Sequence, residues 1–256
     1  MFTGLIENIA EVKSFSPENK SALIGIMPSR GAFIDKEKDF SHCKTGDSVA
    51  INGVCLTVEK ISAGTFFFRA VNETLSKTNL GRLKISQKVN LERAMAANGR
   101  FDGHIVLGHV DTVAKIERIE NDGDARLFWL STGGEYSKYI ASKGSVAVDG
   151  VSLTVADVCE NSFMLSVIPH TFKNTTLAGK KNGDLLNLEC DVFARYIERM
   201  LFCAKAQRNS HEHSVAASKT PSAEAKCFGG ASFTGDVSLG DERLLAGLFA
   251  LERSGF

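Results

Sequence analysis

Two ten-residue stretches decide the fold, because they are near copies of one another. Residues 49–58 read VAINGVCLTV and residues 146–155 read VAVDGVSLTV, so that seven of ten positions are identical. Both stretches are rich in β-branched residues and contain Asn-Gly or Asp-Gly, the dipeptides that favour a tight turn between antiparallel strands. Each stretch is therefore predicted to contain a turn that joins two strands.

Other segments repeat in the same order. At the same offset of 97 residues, VNLE (89–92) corresponds to LNLE (186–189), and TGLIENIAEV (3–12) resembles LGHVDTVAKI (107–116) at an offset of 104. Matching segments in a common order indicate a duplicated domain. The two copies span residues 1–97 and 98–190.

Each copy is long enough to have its own hydrophobic core. Short apolar runs such as TFFFRAV (65–71) recur with glycine or polar residues between them, which is typical of a small β-barrel or sandwich. We expect short helices or turns at ETLSKTNLG (73–81) and GEYSKYIASK (134–143). The predicted fold class is all-β.

The chain changes to a helical pattern after the second copy. Within residues 191–205, apolar side chains from Phe193 to Ala204 recur at three- and four-residue intervals, which predicts one helix with an apolar stripe. The stripe could pack on its own barrels, but an oligomer contact is favoured, since a single terminal helix has little else to bury against. Residues 206–256 are predicted to be a flexible tail, in which 241–256 could form a short helix.

The composition excludes several classes of protein. The 256 residues include 30 basic and 30 acidic side chains, and this balance argues against a nucleic-acid partner. No apolar run is long enough to span a membrane, and residues 1–12 lack the basic stretch of a secretory signal. The six cysteines are scattered without a CxxC pair, which argues against a zinc site or a disulfide framework. We therefore expect a cytoplasmic protein.

Features that both copies share could serve a common ligand. Asn52 corresponds to Asp149 in the two turns, and Thr57 corresponds to Thr154 in the following strands. These residues could bind a polar heterocycle or a polyol, or they could simply suit turns and strands. The motifs GxSxG, GxGxxG and GxxxxGK[ST] are absent, so a hydrolase elbow and nucleotide-binding loops are unsupported.

Positions at which the copies differ in chemical type are candidates for chemistry. Cys55 corresponds to Ser152, and Leu5 corresponds to His109. Cysteine and serine are potential nucleophiles, and histidine transfers protons near neutral pH. A buried cysteine is more often an inert apolar side chain, so each candidate alone is weak. His104 and His109 would point to opposite faces of one strand, which makes them a poor metal pair.

Taken together, these segments resemble the riboflavin synthase family. The resemblance covers about residues 1–203 and rests on MFTGLIE (1–7), the two repeated stretches, GHIVLGHVDT (103–112), ETLSKTNLG and VIPHTFKNTTL (167–177). It implies two tandem six-stranded Greek-key β-barrels, each binding one 6,7-dimethyl-8-ribityllumazine. It also implies a homotrimer formed through the C-terminal helix, with each active site between the N-terminal barrel of one subunit and the C-terminal barrel of another.

The implied activity is that of a transferase in riboflavin biosynthesis. Two ribityllumazine molecules stack, and one donates a four-carbon unit to the other, giving riboflavin and 5-amino-6-(D-ribitylamino)uracil. The resemblance implies no metal and no organic cofactor. For the tail, three roles are open: inhibitor docking, assembly with the lumazine synthase that makes the substrate, or none.

The family's functional positions carry over residue by residue. Its substrate-binding positions in the first copy fall on Gly4, Leu5, Ile6, Cys55, Leu56, Thr57, Arg69, Ala70, Val71, Asn72, Glu73 and Thr74. Those in the second copy fall on Gly108, His109, Val110, Lys143, Ser152, Leu153, Thr154, Ser166, Val167, Ile168, Pro169, His170 and Thr171. Catalytic roles are expected for His109, Ser152, Cys55, Asp191 and Phe2.

We hypothesise that His109 and Ser152 act on one substrate and Cys55 on the other, because identical reactants must take different parts. One alternative is a non-catalytic antenna protein of the same fold that holds lumazine or flavin. The binding positions that the second copy retains favour the enzyme. A barrel flavin reductase is a further alternative, but its RxY[ST] motif and nicotinamide domain are missing.

Overall fold

The computed structural model describes residues 1–29 and 40–217, with side chains described as far as Ala204. Its core is a pair of closed six-stranded antiparallel barrels. The first barrel contains β1 (Asn8–Glu18), β2 (Ser21–Pro28), β3 (Ser48–Ile51), β4 (Val54–Ser62), β5 (Thr65–Val71) and β6 (Lys88–Arg93). The second contains β7 (Thr112–Asp122), β8 (Ala125–Ser131), β9 (Ser145–Val148), β10 (Val151–Val158), β11 (Ser162–Val167) and β12 (Leu185–Cys190).

The two barrels have the same topology. Around the first barrel the strands follow the order β1-β2-β5-β4-β3-β6, and around the second the order β7-β8-β11-β10-β9-β12. Corresponding strands therefore occupy corresponding places. This equivalence confirms the predicted all-β fold with two tandem Greek-key barrels.

The repeated LTV motif forms a strand with one face in the core. Along β4 the side chains of Val54, Leu56 and Val58 are buried, whereas Cys55 is half-buried and Thr57 is exposed. This alternation follows from the two-residue period of a strand. β10 repeats it position by position, so the outward residues of both strands are available to a site outside the barrels.

A buried polar network joins the barrels at the two repeated turns. The Asn52 Oδ1 accepts a hydrogen bond from the Asn90 N–H over 2.8 Å, and the Asp149 Oδ1 accepts one from the Asn187 N–H over 2.8 Å. The Asn90 side chain donates to the Asp149 carbonyl, and that of Asn187 donates to the Asn52 carbonyl. Lys180 pairs with the buried Asp149 carboxylate over 2.7 Å. The Asn52-to-Asp149 difference therefore serves the interface between the barrels.

Short helical segments connect the strands, both at the predicted ranges 73–81 and 134–143 and at places that were not predicted. α1 (Asn72–Lys77) and α2 (Pro169–Lys173) occupy equivalent positions in the two copies. 3-10 helices lie at Phe40–His42, Asn79–Arg82, Ser137–Tyr139 and Thr176–Gly179. Among the described residues, no helix combines the length and the apolar character needed to cross a membrane.

The C-terminal helix is longer than predicted. α3 spans Val192–Ala217, whereas the sequence pattern placed its end at residue 205 and a flexible tail from residue 206. That boundary was wrong because it relied on the apolar stripe. Residues 206–217 contain neither proline nor glycine, and an established helix can extend through such residues without an apolar face. The rest of the predicted tail, including 241–256, lies outside the described residues.

α3 turns its polar face toward the second barrel. Arg195 forms an ion pair with Asp111, and Glu198 pairs with Lys138 and accepts a hydrogen bond from the Tyr139 hydroxyl. The apolar stripe faces away from the barrels: Phe193, Tyr196, Ile197, Met200 and Leu201 are 57–70% exposed, and the adjacent Phe202 is 63% exposed. The described residues of the chain therefore leave this stripe exposed.

Candidate active sites

Two glycine-containing segments cross between the barrels, and each meets a strand of the other copy. The Ser152 N–H donates to the Gly4 carbonyl over 2.8 Å, and the Cys55 N–H donates to the Gly108 carbonyl over 2.9 Å. Gly4 and Gly108 have φ angles of 78° and 79°. A Cβ atom on Gly4 would lie 2.5 Å from the Ser152 Cβ, and one on Gly108 would lie 2.4 Å from the Cys55 Cβ. Only glycine permits this approach.

This crossing corrects the expected grouping of the site residues. Ile6 packs against the core of the second barrel, and Val110 packs against the core of the first. Within this chain His109 lines a cavity together with Cys55, whereas the sequence analysis grouped it with Ser152. Comparison of the copies identifies corresponding residues, but it contains no information on which strand each segment meets.

A cavity of about 500 Å³ lies beside Cys55 and His109. Its lining also includes Thr74 from α1, Tyr136 from the loop after β8 and Arg195 from α3. The cavity thus combines a thiol, an imidazole and a cation, contributed by both barrels and the C-terminal helix. Its size and mixed lining suit a small polar heterocycle.

The other site centres on Ser152 and a histidine that the sequence did not predict. The Ser152 Oγ lies 2.7 Å from the His104 Nδ1. Burial lowers the pKa of His104, while the negative charge of Asp191 acts in the opposite direction. The ring is therefore neutral at neutral pH, and its Nδ1 can accept the proton of the Ser152 hydroxyl, which is how an adjacent base activates a serine.

His104 escaped prediction because the comparison of the copies flags only paired positions that differ, and His104 lies before the repeated segments 3–12 and 107–116. In the structure, the Phe2 and Val106 backbones pair antiparallel, and the His104 N–H donates to the Thr3 carbonyl over 3.3 Å. The usable signal was its place three residues before LGHVD (107–111), the segment that corresponds to TGLIE (3–7).

A buried glutamate holds each crossing segment. The Glu92 Oε1 accepts hydrogen bonds from the Thr3 N–H over 2.6 Å and from the Thr3 hydroxyl over 2.8 Å, and Oε2 accepts the Gly4 N–H over 3.0 Å. Glu189 likewise accepts the N–H groups of Leu107 and Gly108 over 2.7 and 2.9 Å. Burial raises the pKa of Glu92 to about 7 and also raises the pKa of Glu189.

Phe2 and Asp191, both predicted to be catalytic, have evident structural roles. Phe2 is fully buried between the barrels, where it packs with Val106 and the partly buried Cys55. The Asp191 Oδ1 accepts the Phe193 N–H over 2.9 Å and so caps the first turn of α3. Asp191 is also near enough to act on the charge of His104.

The remaining predicted binding residues are core or surface positions, except Thr171, which is half-buried on α2. Core positions, at which a side chain cannot reach an external ligand, are Leu56, Ala70, Leu153 and Val167. Several others are exposed on the outside of the barrels, namely Leu5, Thr57, Arg69, Val71, Asn72, Glu73, Lys143, Thr154, Ser166, Ile168, Pro169 and His170. Val71 and Ile168 are equivalent apolar positions with 56% and 58% exposure, so each barrel presents an apolar side chain at the same place.

Comparison with known proteins defines the class. Residues 3–94 and 107–191 match the model of the Lumazine binding domain, so the chain is a protein with two tandem lumazine-binding domains. The riboflavin synthase of Actinobacillus pleuropneumoniae is 42% identical over 78% of this chain and 90% of its own length. That of Bacillus subtilis is 39% identical over 84% of this chain and 95% of its own. The chain belongs to the riboflavin synthase family of enzymes.

Solved structures of LumP share the architecture. LumP complexed with riboflavin matches with a TM-score of 0.66 and 21% identity, over 74% of this chain and 99% of LumP. LumP complexed with 6,7-dimethyl-8-(1'-D-ribityl) lumazine matches with a TM-score of 0.64 and 20% identity. At this identity the likeness is one of fold.

Proposed function

We propose that the protein catalyses the dismutation of two 6,7-dimethyl-8-ribityllumazine molecules. One molecule transfers a four-carbon unit to the other, which gives riboflavin and 5-amino-6-(D-ribitylamino)uracil, so the enzyme is a transferase. Membership of the riboflavin synthase family supports this reaction. The observation that carries it is a pair of equivalent crossing points with unequal side chains, Ser152 with His104 at one and Cys55 with His109 at the other.

Unequal sites suit identical reactants that must take different parts. At the first site, the Ser152 hydroxyl can add to the electron-poor ring of one lumazine while the His104 Nδ1 accepts the hydroxyl proton. The ring methyl of the other lumazine can lose a proton, because the resulting carbanion delocalises into its ring. Cys55 and His109 act on the lumazine at the second site.

Holding the two substrates face to face supplies much of the catalysis. Correct orientation of two reactants can lower a barrier by about 7–11 kcal/mol. Glycine at both places where the segments cross holds the backbone close against Ser152 or Cys55, and the outward apolar residues Val71 and Ile168 offer a flat contact to a heterocycle. The sites therefore need only mild acids and bases.

We propose that α3 assembles the chain into a homotrimer. The support is its row of exposed apolar side chains, since contiguous apolar patches of this kind are typical of protein interfaces. Because the polar face of α3 is tied to the second barrel through Arg195 and Glu198, the row is presented to another subunit. Each active site would then be completed between an N-terminal barrel and the C-terminal barrel of a neighbour.

Turnover of ribityllumazine as the sole substrate tests the proposed function. We expect one riboflavin for every two lumazines consumed, measured by chromatography and by the fluorescence of the product. Ser152→Ala and Cys55→Ala variants should each lower the rate without lowering the melting temperature by more than a few degrees. Stable binding of lumazine with no riboflavin formed would instead identify an antenna protein.

Two further expectations stay predictions. The cytoplasmic location rests on the scattered cysteines and the charge pattern of the sequence. Assembly with a lumazine synthase was tied to the tail, whose residues 218–256 lie outside the described part of the chain.

A further inference from the structure

In each site a buried glutamate binds a glycine-containing segment, and that segment in turn binds Ser152 or Cys55. The glutamate is the member of this chain of contacts that lies farthest from the reacting side chain. Glu92, at the end of β6, accepts hydrogen bonds from Thr3 and Gly4, and the Gly4 carbonyl accepts the Ser152 N–H. The side chain of Ser152 reaches His104. The glutamate therefore lies in one barrel, and the hydroxyl that it leads to lies in the other.

The same series recurs at the second site in the opposite direction. Glu189, at the end of β12, accepts the N–H groups of Leu107 and Gly108, and the Gly108 carbonyl accepts the Cys55 N–H. Cys55 is in the first barrel and Glu189 is in the second. Both glutamates are at least 95% buried, so they are not available to contact a substrate.

We propose that Glu92 and Glu189 are positioning residues that act across the two barrels, with Glu92 orienting Ser152 and Glu189 orienting Cys55. The proposal rests on the proposed function, in which those two side chains serve the reacting lumazines. Neither glutamate matches a position that the family resemblance assigned to the site.

A carboxyl group is the one side chain that fits both donors at once. Its two oxygens face the N–H groups of adjacent residues, as at Thr3 and Gly4. Glutamine keeps one oxygen but sets an NH₂ group against the second N–H, which leaves that donor unpaired in a buried place. The crossing segment is then no longer held in one position. The strand residue that packs against its glycine, Ser152 or Cys55, is in turn less well positioned.

The strand residue has no freedom to compensate for such a shift. A Cβ atom added to Gly4 would lie 2.5 Å from the Ser152 Cβ, and one added to Gly108 would lie 2.4 Å from the Cys55 Cβ. Each glycine backbone is therefore in close contact with Ser152 or Cys55. A displacement of the segment must therefore move Ser152 or Cys55. Asn90 and Asn187, two residues earlier on the same strands, bond instead to the turns between the barrels, so holding the barrels together is a separate task.

Amide hydrogen exchange can detect the effect of a glutamate in one barrel on a residue in the other barrel, and it does not depend on turnover. In the full-length Glu92→Gln protein we expect the Ser152 amide, followed in peptide 146–155, to exchange about tenfold faster, while Cys55 in peptide 49–58 is unchanged. Glu189→Gln should do the reverse. Thr3→Val, which removes a single donor to Glu92, should give a smaller change in the same peptide as Glu92→Gln. Glu120→Gln, an exposed glutamate on β7, is the matched control.

Double-mutant cycles in turnover extend the test to function. Combining Glu92→Gln with Ser152→Ala should cost no more than about threefold beyond the larger single loss, whereas combining it with Cys55→Ala should multiply the two losses. Glu189→Gln should show the opposite selectivity.

The two failures are distinguishable. Equal acceleration of both peptides, or acceleration only within the mutated barrel, would overturn the positioning role. Normal turnover in Ser152→Ala and Cys55→Ala would overturn the proposed site roles, while the exchange measurement would still report on the glutamates.

Discussion

Replacing Glu92 by glutamine will make the stability of the fold less dependent on pH. Burial raises the pKa of Glu92 from 4.5 to about 7, so the folded state binds the proton more tightly than the unfolded state. The protonated carboxyl therefore contributes stability that is complete below pH 4.5 and is lost as the pH rises through 7. At about 1.36 kcal/mol per pH unit, the whole contribution is about 3.4 kcal/mol.

Urea unfolding of the two proteins measures this contribution directly. Between about pH 5.5 and about pH 8, the free energy of unfolding of the wild type should fall by about 2 kcal/mol relative to that of Glu92→Gln. The comparison cancels the titration of all other groups, provided that protein concentration is held constant, since assembly adds to apparent stability. Glu120→Gln should follow the wild type at every pH.

A difference between wild type and variant that stays constant with pH would refute the reasoning. It would mean that hydrogen bonds from Thr3 and Gly4 offset the burial of the carboxyl completely, so that its pKa is alike in the folded and unfolded states. A difference of the opposite sign would mean that those bonds favour the charged form outright.

Three further outcomes are expected. Gly4→Ala should lower turnover at least about tenfold, because its Cβ would lie 2.5 Å from a neighbouring Cβ. Gly46→Ala, whose φ is also positive but whose Cβ would meet nothing within 4 Å, should cost only about 1 kcal/mol of stability in urea unfolding. Leu201→Asp on α3 should yield a smaller particle in size-exclusion chromatography with light scattering, whereas Ile61→Asp on β4 should keep the wild-type size. In a pH profile, turnover should fall below the ordinary pKa of histidine as His104 gains a proton, and His104→Gln should flatten that limb.

The barrels could be predicted from the sequence because their information is local. Alternation of buried and outward residues along β4 and β10 is written directly in VCLTV and VSLTV, and the duplication marks the same strands twice. The beginning of α3 was also predictable, since an apolar stripe begins next to the capping residue Asp191. Its end was not, because residues 206–217 continue the helix without a stripe.

The pairing within each site could not be predicted, because it depends on contacts between distant segments. Ser152 and Cys55 were found as unlike residues at equivalent positions, yet their neighbours come from the other copy. His104 lies 48 residues from Ser152 and outside the repeated segments that were compared. Glu92 and Glu189 were visible as a repeated NLE motif, but their role depends on burial and on which amides they face.

Ile6 of the first copy packs against the core of the second barrel, and Val110 of the second copy packs against the core of the first, so each copy adds an apolar contact to the other's core. If the chain were divided between the copies, the first half would lose the packing of Val110 against its core and the second would lose that of Ile6. Reassociation of the halves would restore these contacts together with the pairing of Cys55 with His109. In the duplicated chain, the same segments that pack one copy against the other also bring the candidate catalytic side chains together.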